Sequence, residues 1–115
     1  MQILGFQFDI AWQDKSANCA CVDSLVEAAA PEPGSLLVLP EMFSTGFSMD
    51  VDAVAEDGNG ATANFLASMA RQRRATVIGG LVGRADGGLG SKEAAVFGPD
   101  GRLIDRYRKM HPFSL

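Results

Sequence analysis

Cysteine is scarce: the 115 residues hold only Cys19 and Cys21. A small secreted scaffold held by disulfides would carry more, and two residues two apart on a helix point to different faces, a poor placement for a bridge. Histidine is scarcer still, with His111 alone. Cys19-x-Cys21 is too short for a zinc knuckle and has no second pair, so no cluster has metal-ligand spacing. No apolar run approaches the ~20 residues of a membrane span. The opening Met1-Gln2-Ile3-Leu4 lacks the basic region of a signal peptide, so a cytoplasmic location is expected. Basic residues are also few, 10 against 14 acidic, for a net charge of -4 and a pI near 4.8. The arginines at 71, 73 and 74 and the group Arg102, Arg106, Arg108, Lys109 are short and separate, which argues against a nucleic-acid partner. There is no P-loop. Gly58-x-Gly60-x-x-Ala63 matches a dinucleotide fingerprint in form, but an acidic stretch precedes it instead of a strand, and no acid follows at the ribose position.

What is present suits one globular α/β domain. Hydrophobic residues make up 47% and charged residues 21%, ordinary values for a folded chain. Residues 2–10 alternate, with Leu4, Phe6, Phe8 and Ile10 on one face, and predict a strand. Residues 16–30 predict a helix with Val22, Leu25, Val26 and Ala29 as its stripe, capped by Asp14 or Ser16 and ended by Pro31, Pro33 and Gly34. The continuous apolar run 35–39 reads as a buried parallel strand, which Pro40 ends. Residues 41–60 read as a long loop, a feature that compact domains usually reserve for function. A second helix follows over 61–74, with Phe65, Leu66, Met69 and Ala70 inward. Strands are expected over 75–83, 93–98 and 102–108, the last two joined through Pro99-Asp100-Gly101. The order is β-α-β-α-β-β-β, without repeats or an internal linker.

Two residues stand out chemically. Glu41 lies just past the carboxyl end of a buried strand, where open α/β sheets bind ligands; a carboxylate there can act as a general base. The alternative is a surface glutamate opening a loop. Lys109 ends the last strand, and a lysine fixed in a cleft can hold an oxyanion; the alternative is a solvated lysine in a basic run. His111 reads as a packing or hydrogen-bonding residue. Cys19 and Cys21 read as helix filler, since nothing nearby favours a thiolate.

Taken together, the segments are more specific than any one of them. Leu37-Val38-Leu39-Pro40-Glu41-Met42-Phe43-Ser44-Thr45-Gly46-Phe47 resembles the first-glutamate motif of the nitrilase superfamily of carbon–nitrogen hydrolases, and is most similar to its ω-amidase-like branch. Tyr107-Arg108-Lys109-Met110-His111-Pro112-Phe113 resembles the motif around that family's lysine, and Phe97-Gly98-Pro99-Asp100-Gly101 its preceding turn. The resemblance implies the N-terminal part of an αββα sandwich, usually paired into dimers. It implies a Glu-Lys-Cys hydrolase of small carboxylic-acid amides, in the ω-amidase-like branch the ω-amides of short 2-oxo dicarboxylic acids. Glu41 would be the general base, and Lys109 would stabilise the tetrahedral intermediate. A cysteine would form and then lose a thioester. No metal or organic cofactor is implied. Phe43 is expected to touch substrate, and a homo-oligomer is expected, with neither nucleic acid nor membrane as partner.

The sequence departs from the family pattern in two places. No cysteine follows Lys109, and Cys19 and Cys21 precede Glu41, so neither matches the nucleophile. Lys92-Glu93 stands where relatives often carry Asn-Arg. Residues 1–115 are therefore expected to be the front portion of one hydrolase domain, cut by cloning, a frameshift or proteolysis, and inactive alone. The alternative is a truncated relative that binds or self-associates through its open face.

Overall fold

A computed structural model describes residues 1–57, 59–84 and 86–110. The strands are β1 (Ile3–Gly5), β2 (Leu36–Val38), β3 (Thr76–Arg84), β4 (Gly90–Phe97) and β5 (Leu103–Arg108). The helices are α1 (Lys15–Ala29), a one-turn α2 (Val51–Val54) and α3 (Ala61–Arg73). Apart from α2 and a short 3-10 turn over Asp86–Gly88 between β3 and β4, this is the expected order. The sheet runs β1-β2-β3-β4-β5, with β1, β2 and β3 parallel and β4 and β5 each antiparallel to the strand before.

Local chemistry accounts for the ends of the elements. Asp14 caps α1 by accepting from the Ala17 N–H at 2.9 Å, which satisfies one of the helix's orphan donors. Ala30, in the left-handed region, closes it. The first residue of α3 follows Gly60, which offers no side-chain cap; Glu56 supplies one, its Oε1 accepting from the Thr62 N–H at 2.8 Å. A Cβ on Gly60 would lie 2.2 Å from that oxygen. The β4–β5 hairpin turns through Gly101 at φ 82°, a conformation that favours glycine. Asp100 Oδ1 accepts from the Arg102 N–H at 2.9 Å.

β1 is shorter than expected, although residues 4–10 keep the predicted alternation of half-buried and exposed positions. Its ladder partner β2 offers only three residues, so the chain beyond Phe6 stays extended without pairing. The core lies on one face of the sheet. Val22 and Val26 of α1 and Leu66, Met69 and Ala70 of α3 pack there on Leu37, Val77, Leu81, Ala95 and Phe97. The other face is less covered: Leu36, Val38, Ile78, Ala94 and Val96 alternate with these residues and are only partly buried. Met42 and Val54 pack against Val82.

β3 outruns β2, and the chain leaving β2 lies alongside it. The side chain that Gly80 lacks would sit 2.6 Å from Met42 N and 2.7 Å from Glu41 Cα. Both obstacles are backbone atoms that cannot rotate away. Gly80→Ala should therefore cost about 3 kcal/mol, the upper end of overpacking penalties, read as a lower denaturant midpoint. A loss under about 0.5 kcal/mol would mean the loop is free to move aside.

Candidate active site

Glu41 and Lys109 are 68 residues apart in sequence, yet Lys109 Nζ donates to Glu41 Oε1 at 3.0 Å. The topology explains the meeting. With β3 parallel to β2 and two antiparallel steps following, β5 runs in the same direction as β2. The carboxyl ends of β2 and β5 thus share one rim of the sheet. Three strand spacings separate them, about 14 Å, and two devices close that gap. Leu39 N–H donates to Ile78 O at 2.8 Å and Gly80 N–H to Pro40 O at 3.3 Å, so the chain leaving β2 is held against β3. At the other end, Lys109 N–H donates to Lys92 O at 2.8 Å and extends the β4–β5 ladder past Arg108. The ion pair itself is 38% and 43% exposed, and exposed pairs contribute at most about 1 kcal/mol. The backbone places these groups, and the pair reports that placement.

Glu41 and Lys109 line a cavity of about 350 Å³. Leu39, Ile78 and Ala94 give it apolar walls, Gly79 and Gly80 leave room, and Lys92, Glu93 and Tyr107 complete it. A carboxylate that can take a proton therefore stands 3.0 Å from an ammonium that can hold a developing oxyanion, beside a space of small-ligand size.

The loop behind Glu41 is fixed by buried polar groups. Thr45 and Gly46 N–H donate to Met42 O, and Met42 itself has φ 49°. Asn18 of α1, fully buried, donates to Ala11 O and Ser44 O, both at 2.8 Å, and accepts from Ala11 N–H at 2.7 Å. Ser44 and Thr62 share a hydroxyl hydrogen bond of 2.8 Å. Thr62 donates to Glu56 at 2.5 Å, and Glu56 meets Lys15 at 2.6 Å. A continuous chain of polar contacts thus ties α1, α3 and residues 44–56 together.

Phe43, expected to touch substrate, is fully buried. Its ring packs in the core, 6.1 Å from that of Phe65, and it is not a cavity-lining residue. His111 and the rest of the motif after Met110 lie outside the described residues. Where relatives often carry Asn-Arg, Glu93 is buried on the helix face of β4. Its Oε2 accepts from Ser91 Oγ, and its Oε1 lies 3.1 Å from Arg106 Nε but off the N–H direction, so that contact is ionic. The sequence named Lys92 only as a departure from the family pattern and Tyr107 only within the lysine motif, and gave neither a place in the site. The signal was there: counting back from Lys109 by twos puts Tyr107 on the same face, and the hairpin register sets Tyr107 opposite Ala94.

Residues 5–114 match the family model for carbon–nitrogen hydrolases. The chain belongs to the carbon–nitrogen hydrolase family. It is 32% identical over 102 residues to the human omega-amidase NIT2, covering 88% of this chain and 37% of that protein. The zebrafish omega-amidase NIT2 is 33% identical over 105 residues, again 88% of this chain and 37% of its own length. Among solved structures, XC1258 of Xanthomonas campestris, a CN-hydrolase superfamily protein, superposes with a TM-score of 0.82 at 31% identity over 93% of this chain and 39% of its own. The carbon–nitrogen hydrolase of Helicobacter pylori shares the fold, with a TM-score of 0.81 at 22% identity. The chain thus spans little more than a third of these relatives.

Neither cysteine lines the cavity. Cys19 sits on α1 and packs against the core, and burial, with Glu56 and Asp23 adding to it, pushes its thiol up from 9.0 to about 11. At neutral pH it is a thiol, the unreactive form. In the native chain, the rate of Cys19 alkylation by iodoacetamide should keep rising with pH toward 11, where an ordinary cysteine would level off near 9. Mass spectrometry of the labelled peptide checks this, and a plateau below pH 9 would mean the thiol is not desolvated. The same shift destabilises the fold as pH rises from 9 to 11, because only the unfolded chain then gives up the proton.

Proposed function

We propose that this chain is the N-terminal portion of an amidase that cleaves the carbon–nitrogen bond of small carboxylic-acid amides, preferentially ω-amides of short 2-oxo dicarboxylic acids. The observation that carries the reading is the 3.0 Å contact between Glu41 and Lys109 at the cavity, in a chain of this family. Glu41 takes the proton of a cysteine that lies beyond Leu115, and the thiolate attacks the amide carbonyl. Lys109 holds the resulting oxyanion while protonated Glu41 passes its proton to the amide nitrogen, which leaves as ammonia. Glu41 then activates the water that cleaves the thioester. The enzyme is read as a cytoplasmic homo-oligomer that needs neither nucleic acid nor membrane; none of the described helices is long and apolar enough to cross a membrane.

Loss of the nucleophile from a covalent hydrolase can cost about 10⁶ in rate. The 115-residue chain by itself should therefore release no ammonia from 2-oxoglutaramate. The product of the complete reading frame should release it, and Lys109→Met should lower that rate about 10²- to 10³-fold. Turnover by the 115-residue chain alone, abolished by Glu41→Ala, would sink the assignment of the nucleophile to a later segment.

A second reading, a self-association module, has its own observation. β5 is an edge strand among the described residues, all six of its residues are exposed, and unpaired edges recruit further strands. It predicts a well-folded oligomer of the 115-residue chain that gains no activity when the remaining segment is added.

A further inference from the structure

We propose that Glu93, through Arg106, sets the register of β5 on β4, so that Lys109 and not Arg108 faces Glu41. The proposal rests on the amide-hydrolase reading above and makes Glu93 a positioning residue for the lysine which that reading employs.

The pairing of β5 with β4 changes register partway along. Phe97 stands opposite Leu103 but Val96 opposite Asp105, so Ile104 is an extra residue on β5, the mark of a bulge. A hairpin turn ordinarily fixes the register of both strands. Here the bulge lies between the turn and the end of β5, and something beyond it has to hold the shift. Without the bulge, every β5 residue past Leu103 would move by one place and change face. Arg108 would then stand opposite Lys92 on the cavity face, and Lys109 would turn to the helix face. Arginine grips a carboxylate with two N–H groups at once, which would leave Glu41 no free oxygen to take a proton.

The helix face supplies the hold. Glu93 is buried there, its side chain 3% exposed. Room for it comes from Gly83, where a Cβ would overlap the carboxylate. One carboxylate oxygen accepts from Ser91 Oγ, and the other lies 3.1 Å from Arg106 Nε. In the observed register Arg106 stands opposite Ala95, diagonal to Glu93 on the same face. In the unbulged register Arg106 would move to the cavity face and Asp105 would take its place opposite Ala95. Two carboxylates would then meet where a carboxylate and a guanidinium meet now, at a buried position where the loss of the partner charge is costly. Buried ion pairs add little stability over apolar residues of the same size, and their best-attested use is to fix a register.

The test uses the product of the complete reading frame and reads the register by cysteine crosslinking and mass spectrometry. Ala94→Cys with Tyr107→Cys reports the observed register and should crosslink when Glu93 is present. Glu93→Leu should raise the share of the unbulged register about 10- to 100-fold, as expected for loss of a contact to a charged group. The yield of that crosslink should then fall. Ala94→Cys with Arg106→Cys, made in the Glu93→Leu chain where Arg106 has already lost its partner, should crosslink in its place. Glu93→Gln should shift the yields the same way and serves if the leucine variant does not fold. Without the cysteine pairs, Glu93→Leu should lower kcat for 2-oxoglutaramate in step with the shifted share and leave KM unchanged, and Arg106→Lys, which keeps a cation, should retain most of kcat. An undiminished 94–107 crosslink in both Glu93 variants overturns the proposal. So does its loss without a 94–106 crosslink, which would mean that β5 detaches and does not shift. A shifted register with unaltered kcat overturns the link to Lys109. If the wild type hydrolyses no amide, the amidase reading fails, and the crosslinks still decide the register.

Discussion

The close approach of the Pro40–Met42 backbone to β3 is the constraint on which the candidate site depends. β2 and β5 end on one rim but are three strands apart, and neither glutamate nor lysine can span that distance from its own strand. The chain leaving β2 has to travel sideways, and it does so where β3 has no β2 beside it. Gly80 permits the passage of Glu41 and Met42, and Gly79 leaves space for the Phe43 ring and for Leu66. Two missing side chains on one strand thus admit the loop that carries Glu41 on one side and close the core on the other. Glycine weakens a strand, so a pair in the middle of β3 has a cost. The return is the position of Glu41.

A loop of this length cannot be held by apolar packing alone, since only Met42, Phe43 and Val54 of its large side chains are buried. The polar chain from Asn18 through Ser44, Thr62 and Glu56 to Lys15 supplies the rest. Buried polar groups are stabilising only when their partners are present, and here each member finds one on a different element. That mutual dependence ties the loop's shape to the packing of α1 on α3. A disturbance at Lys15 or Asn18 therefore reaches Glu41 through the loop without touching the cavity.

Elements that obey a local period were legible from sequence. The α1 and α3 stripes, the alternation of residues 4–10, the apolar run of β2 and the Pro99-Asp100-Gly101 turn all declare themselves within a few residues. What was not legible depends on register or on reach. Asn18 lies one turn before Val22 on the buried side of α1, but its polar partners, residues 11 and 44, are brought to it only by the fold. Glu56 caps a helix that begins five residues later, beyond the spacing of the usual capping motifs. Phe43 lies two residues past Glu41, yet its ring packs beside Gly79 in the core and does not line the cavity, a placement set by how the loop crosses β3. The site follows the same division. Glu41 and Lys109 were visible through the motifs around them, whereas Lys92 joins them only through the hairpin register.

The sheet is two-sided in an unequal way, and this bears on the chemistry. Strands β1, β2 and β3 are parallel, and parallel strands are almost always covered on both faces. Here α1 and α3 cover one face, leaving Leu37, Val77, Ala95 and Phe97 dry, while Ile78, Ala94 and Val96 on the cavity face are half-buried. The Glu41–Lys109 pair stands on that wetter side. In water such a pair has little leverage on a developing charge. With water excluded, the same ammonium at the same distance acts far more strongly. A layer that supplies a nucleophile to this cavity would therefore do two things at once. It would bring the thiol to Glu41, and by drying the face it would turn a weak surface ion pair into a base and an oxyanion donor able to act.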